Sequence, residues 1–133
     1  MERSIRELSL YRLERAKEML SAARENLEIN QLKTSLNRSY YAIFHAIRAV
    51  NCLDGFDSSK HSGVIAHFNQ YYIKEGKLPK EFSVIIKGAS FLREKSDYDD
   101  FYVASRKEAE QQLKNAEEFV KNIAVYINSL NDI

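Results

Sequence analysis

The 133 residues fit one domain of ordinary size, and hydrophobic residues at 44% and charged residues at 29% are close to the usual make-up of globular proteins. This composition argues against a disordered chain, and no apolar run approaches the roughly 20 residues that span a bilayer. The net charge of +1 argues against a protein that binds nucleic acid mainly through a large positive surface.

Helical spacing of apolar residues predicts two long helices in the first part of the chain. Leucine, isoleucine and alanine recur every three to five positions across residues 4–28, and Asn30 and Gln31 then form a short turn. A second helix is predicted over about residues 31–53. It stops at Asp54-Gly55, a turn dipeptide whose glycine accepts the positive φ that ends helices.

Two more helices are predicted in the middle of the chain. The first begins near Ser58-Ser59 and ends at Gly76, a residue suited to the position after a helix. The second opens at Pro79, where a missing N–H costs nothing, and ends near Ser96.

The last helix is predicted from a local hydrogen-bonding pattern. An acidic stretch at residues 97–100 is expected to be a solvated loop, and Ser105 and Glu108 then have the spacing of a capping box. Residues 1–133 are therefore predicted to form a single all-α domain, an antiparallel bundle of about five helices.

The second helix carries two faces that are unlike a solvated surface. One face is an apolar stripe that points to a core: Leu32, Leu36, Tyr40, Ile43, Ile47 and Val50. On the other face, Arg38 and His45 alternate with the small residues Ala42, Ala49 and Cys52. This second face is covered either by another helix of the same bundle or by a second copy of the chain in a symmetric dimer that leaves a narrow cleft.

Arg38 and His45 are expected to act together. They are seven residues apart, so they share nearly the same azimuth and are about 10.5 Å apart along the axis. Because Cα–Cβ bonds tilt toward the helix N-terminus, His45 leans toward Arg38, and Ala42 leaves a gap in which a phosphate fits. Tyr41 borders this gap with its hydroxyl.

Three segments carry a family resemblance. Residues 37–49, NRSYYAIFHAIRA, resemble the signature helix of HEPN domains, in which an arginine and a histidine are separated by four to six residues. Residues 60–64, KHSGV, and 93–99, REKSDYD, are also similar to the small stand-alone branch of this family, which is often encoded beside a minimal nucleotidyltransferase. The similarity covers nearly the whole chain.

The resemblance implies a HEPN-like bundle that forms a homodimer through the second helix and, in many members, metal-independent cleavage of RNA by a toxin. It also implies a minimal nucleotidyltransferase antitoxin as partner. Some such toxins carry, two residues after the histidine, a tyrosine that the partner modifies with AMP, and Ile47 departs from that pattern here. Because other HEPN domains only bind ligands or partners, the alternative function is a non-catalytic nucleotide-binding or nucleotidyltransferase-docking module.

The chemistry of metal-independent RNA cleavage fits the residue types of the signature. A base must take the 2′-hydroxyl proton, an acid must protonate the leaving 5′-oxygen, and a cation must stabilise the phosphorane. His45 suits proton transfer near neutral pH, and Arg38 suits bidentate binding of phosphate. Neither a cofactor nor a metal is expected, since the three histidines and the single cysteine lack metal-ligand spacing.

Four further residues are candidates for binding substrate phosphate: Tyr41, Arg48, Lys60 and His61. Two of them, Arg48 and His61, have a plainer alternative. Arg48 is expected to form an exposed ion pair, and His61 to be a neutral polar or capping residue at a helix start, where the dipole disfavours an imidazolium. His67 is predicted to be a surface or half-buried residue, and Tyr98 either packs on the bundle or lines the cleft.

The expected location is the cytoplasm. The first residues lead into a charged amphipathic segment without the apolar stretch of a signal peptide. The single cysteine, Cys52, agrees with a reducing compartment.

Overall fold

A computed structural model describes residues 3–130, and within that range the chain forms helices and no strands. The five α-helices are α1 (Arg3–Glu28), α2 (Leu32–Asn51), α3 (His61–Phe68), α4 (Glu81–Tyr98) and α5 (Arg106–Asn128). A 3₁₀ turn, Cys52–Asp54, extends α2, and a π-helical turn, Asn69–Ile73, extends α3. The predicted all-α bundle of about five helices is therefore confirmed. None of the described helices combines the length and the hydropathy needed to cross a bilayer.

The first two helices form an antiparallel pair. Asn30 turns the chain between them with a φ of 63°, a conformation that asparagine tolerates better than most residues. Ser9 Oγ near the start of α1 donates to Ala49 O near the end of α2 at 2.7 Å. Ser35 Oγ at the start of α2 donates to Ala23 O at 2.8 Å. The two hydrogen bonds fix the relative position of α1 and α2 at both ends of the pair.

Helix α2 is the central element, since it contacts each of the other four helices. The apolar stripe predicted for it is buried at Leu36, Tyr40, Ile43, Ile47 and Val50. Burial of side chains of this kind contributes about 1.5–3 kcal/mol each. With most of its circumference held in the core, α2 has a fixed rotation about its own axis, and this rotation determines which of its residues reach the surface.

Two predicted boundaries are wrong. The third helix begins at His61 rather than near Ser58, and the residues before it form a loop. The turn that follows α3 is π-helical. The acidic stretch is only partly a loop. Asp97 lies in the last turn of α4, where it faces Arg93 at 3.8 Å and accepts hydrogen bonds from Asn37 Nδ2.

The capping box predicted at the start of α5 is confirmed. Ser105 Oγ accepts the backbone N–H of Glu108 at 3.0 Å, and the Glu108 carboxylate accepts that of Ser105 at 3.3 Å. Tyr98, whose environment the sequence left open, is 76% exposed and thus points away from the bundle.

Candidate functional site

One side of α2 is open to solvent, and it holds polar and aromatic residues. Between residues 34 and 48, six side chains are half-buried and all the others are buried. At 100° per residue, the six fall within about 100° of azimuth, so they form one line along the helix. We call this line the α2 strip, and its members are Thr34, Asn37, Arg38, Tyr41, His45 and Arg48.

Arg38 and His45 both belong to the α2 strip. They lie on the same side of the molecule, about two helical turns apart, and neither is sealed in the core. The guanidinium of Arg38 donates to Asn37 Oδ1. It also borders a shallow surface depression of about 280 Å³, lined by Lys33, Thr34, Asn37, Arg38, Ser96 and Asp97. Arg38 is thus placed at one end of the strip with solvent in front of it.

Ala42, which was expected to leave a gap between Arg38 and His45, does not do so. Ala42 and Ala49 have no exposed surface, and Cys52 is also buried. Helix α1 covers this side near Ala49, as the hydrogen bond from Ser9 shows. At these positions the second face of α2 is therefore covered within the chain, whereas Tyr41 and His45 beside it are only half-buried.

The pKa of His45 is lowered to about 4. Burial is the largest cause, and the positive charges of Arg15, Arg48 and Arg12 add to it, while Glu18 opposes them. The ring is therefore neutral at pH 7 in the isolated chain. A neutral imidazole has a free lone pair, so His45 can accept a proton.

His61 lies against α2 at the same level. Its Nδ1 is hydrogen-bonded to the hydroxyl of Tyr40 at 3.0 Å, and its ring packs on Phe44 with centroids 4.2 Å apart. The edge of Tyr41 is also near, at 5.8 Å between centroids, and Tyr41 in turn lies 6.3 Å from His45. Burial, together with the charges of nearby arginines, lowers the pKa of His61.

The structure therefore brings five of the predicted site residues to one surface: Arg38, Tyr41, His45, Arg48 and His61. Lys60 differs from its neighbour His61. Its side chain is exposed, and its backbone N–H donates to Ser58 Oγ.

Arg48 is engaged in an ion pair. Its Nη2 contacts Asp57 Oδ1 at 2.9 Å, and the other oxygen of the same carboxylate accepts from Arg12 Nη2 at 3.0 Å. Hydrogen bonds from Arg12 and Arg48 lower the pKa of Asp57. Arg48 thus forms an ion pair in this structure, and Arg12 of α1 shares the same carboxylate.

A profile of the HEPN domain matches residues 9–125. The chain belongs to the HEPN family. The three segments on which the resemblance rested, residues 37–49, 60–64 and 93–99, all lie inside the matched range. The resemblance inferred from the sequence is confirmed.

Several relatives resemble this HEPN protein over most of their length. It is 33% identical over 116 residues to a UPF0332 protein of Thermotoga maritima, a match covering 87% of this chain and 88% of the relative. It is 35% identical over 123 residues to the protein of Methanocaldococcus jannaschii named "Putative toxin MJ0605", covering 92% and 91%. A second protein of that organism, named "Putative toxin MJ0142", is 30% identical over 120 residues, covering 90% of this chain and 81% of the relative.

Two features of this HEPN protein were missed by the sequence analysis. Arg12 is one, although a charged residue inside the buried stripe of α1 was a visible signal. The other is a polar cluster at the end of α2, where Asp54 accepts from the Tyr72 hydroxyl at 2.8 Å and pairs with His67 Nε2 at 2.9 Å. Phe56 stacks on His67 with centroids 3.9 Å apart. His67 is thus half-buried and ties the turn after α2 to α3.

Proposed function

We propose that this HEPN protein, with residues 1–133 as one domain, is the toxin of a toxin–antitoxin pair and cleaves RNA without a metal ion. The observation that carries the proposal is the joint position of Arg38 and His45 on the α2 strip, half-buried and facing solvent. The presence of the word toxin in the names of two relatives supports the biological role. Membership of the HEPN family supports the chemistry.

The proposed active unit is a homodimer with α2 at the interface. In one chain the α2 strip is an open surface, and a reaction that must protonate one oxygen and deprotonate another needs two proton-transfer groups. A twofold interface uses the same patch twice, so it would bring two Arg38 and two His45 side chains into one cleft. His61 and Tyr41 would then line the cleft as contacts to the substrate.

Each step has an assigned group. His45 of one copy takes the proton of the 2′-hydroxyl, the 2′-oxygen attacks the adjacent phosphorus, and the P–O5′ bond breaks. His45 of the other copy donates a proton to the departing 5′-oxygen, which leaves a 2′,3′-cyclic phosphate and a 5′-hydroxyl. Arg38 stabilises the negative charge of the phosphorane through a bidentate contact.

The low pKa of His45 leaves the ring neutral, which suits the copy that acts as the base. The copy that acts as the acid must be protonated, and this requires the pKa to rise when substrate binds. A bound phosphodiester places a negative charge beside the rings, which favours the imidazolium and raises the pKa. One copy then holds the proton that the leaving oxygen requires.

The test is cleavage of a labelled single-stranded RNA in the presence of EDTA. We expect His45→Ala to slow cleavage by a factor on the order of 10² or more, as for the loss of a general acid or base. Arg38→Gln should also lose most activity. Arg24→Gln is the matched control, because Arg24 forms an exposed pair with Glu117 on another face. Equal rates for wild type and His45→Ala, both folded by circular dichroism, would contradict the proposal.

The proposed antitoxin is a minimal nucleotidyltransferase. Expression of the wild-type chain alone should arrest growth of a bacterial host, and co-expression of a nucleotidyltransferase encoded beside its gene should relieve the arrest. If His45→Ala arrests growth as strongly as the wild type does, the toxic effect does not depend on the proposed chemistry.

A non-catalytic nucleotide-binding or nucleotidyltransferase-docking module is the second candidate. The net charge of +1 and the polar depression beside Arg38 favour it, because one nucleotide phosphate needs only local positive charge. Saturable binding of AMP or of the nucleotidyltransferase, with no RNA turnover, would select this function over the first.

A further inference from the structure

One carboxylate covers two guanidinium groups next to the α2 strip. Asp57 lies in the loop between the 3₁₀ turn and α3, and its two oxygens contact Arg12 at 3.0 Å and Arg48 at 2.9 Å. The side chain of Arg12 is only 10% exposed and that of Arg48 is 27% exposed, whereas Asp57 is 52% exposed. The carboxylate therefore lies outermost, above two recessed cations.

The two arginines are fixed by other contacts as well. Arg12 Nη1 donates to the backbone oxygen of Arg48 at 3.5 Å, which links α1 to α2 independently of Asp57. The Nε of Arg48 is buried and has no hydrogen-bond partner among the described residues. Because this Nε is buried, the donors that a bound anion would use are the Nη2 atoms of Arg12 and Arg48 that now contact Asp57.

Charge around His45 is positive even with Asp57 in place. Arg12, Arg15 and Arg48 all act on the ring, and Glu18 is the acidic group that opposes them there. Arg48 is three residues from His45, which makes them neighbours on the helix surface. An anion bound to Arg48 would therefore lie within one helical turn of the imidazole.

We propose that Arg12 and Arg48 form a binding site for a phosphodiester group of RNA and that Asp57 occupies this site until the substrate displaces it. This inference rests on the proposed ribonuclease function and extends it, since it adds Arg12 of α1 and Asp57 to the substrate site of α2.

The exchange is chemically balanced. A carboxylate and a phosphodiester both present two acceptor oxygens, and guanidinium groups bind either one through paired N–H donors. A phosphodiester carries one negative charge, as does ionised Asp57, so replacing one by the other leaves the local charge unchanged. Since Asp57 is half exposed, rotation of its side chain toward solvent buries nothing and uncovers both arginines.

The site also gives Arg38 and Arg48 different roles. They are ten residues apart on α2, about 15 Å along the axis, with His45 between them. Arg38 contacts Asn37 and Arg48 contacts Asp57, so the two guanidinium groups are held at separate places along the helix. Arg38 stabilises the reacting phosphate in the proposed reaction, and the Arg12–Arg48 pair holds a neighbouring phosphate of the same strand.

The experiment measures binding of thymidylyl-3′,5′-thymidine, a dinucleoside monophosphate that lacks the 2′-hydroxyl and cannot be cleaved by this chemistry. Affinity is read from the ring resonances of His45 by NMR and from calorimetry. Asp57→Asn keeps the size of the side chain but removes the competing charge, so we expect binding roughly tenfold tighter than for wild type. Arg48→Gln should weaken binding by about tenfold. Arg24→Gln should bind as wild type does.

Arg12→Gln tests the α1 contribution, and its folding is checked first because Arg12 is nearly buried. If that variant unfolds, Arg12→Lys replaces it, and the loss of the two-pronged contact should still weaken binding. Unchanged or weaker binding by Asp57→Asn would overturn the inference, because Asp57 would then be a structural clamp and not a competitor.

Parallel titrations with inorganic phosphate and AMP identify the source of the phosphate. Tighter binding of the dinucleotide than of either small anion supports a strand of nucleic acid as ligand, whereas preference for AMP would overturn the assignment to RNA. Since none of these probes is turned over, the binding pattern of the variants can hold even if the chain fails to cleave RNA, and cleavage can occur without that pattern. The two failures are therefore distinguishable.

Discussion

Tyr40 and His61 are joined by a hydrogen bond of 3.0 Å between the tyrosine hydroxyl and Nδ1, although 21 residues separate them in the chain. Tyr40 is a core residue of α2, and His61 is the first residue of α3. The bond fixes the orientation of the imidazole beside Tyr41 and Phe44, so a residue of the hydrophobic core positions a residue of the candidate site.

Removing this hydroxyl should loosen His61 at a small cost in stability. For Tyr40→Phe we expect the free energy of unfolding to fall by about 1 kcal/mol, the net contribution of a typical hydrogen bond. The His61 resonances should broaden or move, since the ring loses its fixed partner. Urea unfolding and NMR measure the two effects. Tyr71→Phe, at an exposed tyrosine, is the control and should change neither; equal effects in both variants would contradict the assignment.

The capping box of α5 should contribute measurably to the free energy of unfolding. Ser105→Ala removes the acceptor of the Glu108 N–H, and an N-cap substitution of this type costs about 0.5–2 kcal/mol. Denaturant titration should show a lower midpoint with the same slope. Ser59→Ala, in the exposed loop before α3, should leave the midpoint in place. A wild-type midpoint for Ser105→Ala would mean that Glu108 alone satisfies the helix end.

The capping box also shows which features the sequence could predict. Ser105 and Glu108 are three residues apart, so their pairing depends on local geometry, and the apolar spacing that predicted α2 and α5 is local in the same sense. The HEPN signature was readable for this reason, because Arg38, Tyr41 and His45 follow one another on a single helix.

Features that depend on distant pairing were not predictable. The sequence showed that the face of α2 with Ala49 and Cys52 must be covered, but it left open whether another helix of the same bundle or a second chain covers it. Arg12 and Asp57 are 45 residues apart, and no rule of spacing joins a helix residue to a loop residue at that distance. The start of α3 was wrong for a related reason, since Asp57 holds the preceding loop on α1 and α2.

The buried position of Ala42 gives a prediction about packing. Ala42→Leu inserts a larger side chain where no surface is exposed, and overpacking of this kind costs about 1–3 kcal/mol. Ala66→Leu makes the same change on the exposed side of α3 and should be nearly neutral. Thermal unfolding compares the two. A neutral Ala42→Leu would restore the idea that space for a phosphate lies above this residue.

The pH dependence of RNA cleavage should differ between its two kinetic parameters. The proposed reaction needs one neutral and one protonated His45, and kcat/KM reports the pKa values of the free protein whereas kcat reports those of the complex. Since the pKa of His45 is about 4 and a bound phosphate raises it, the optimum of kcat should lie at higher pH than that of kcat/KM. Steady-state rates across pH measure both; coinciding optima would contradict the two-histidine scheme.

The same pKa makes folding stability depend on pH, and stability falls as the pH is lowered. The pKa of His45 is about 4 in the folded chain and 6.5 without perturbation, so between these values the unfolded chain binds a proton that the folded chain does not. The contribution of the neutral ring is fully present above pH 6.5 and is lost as the pH falls toward 4. Relative to His45→Gln, the wild type should lose about 1–3 kcal/mol across this window, with the half-buried ring favouring the lower part of the range. Urea unfolding at several pH values measures the difference in stability between the two proteins, which should stay level below pH 4. If the stability of His45→Gln falls in parallel with that of the wild type, the ring is solvated enough to titrate normally.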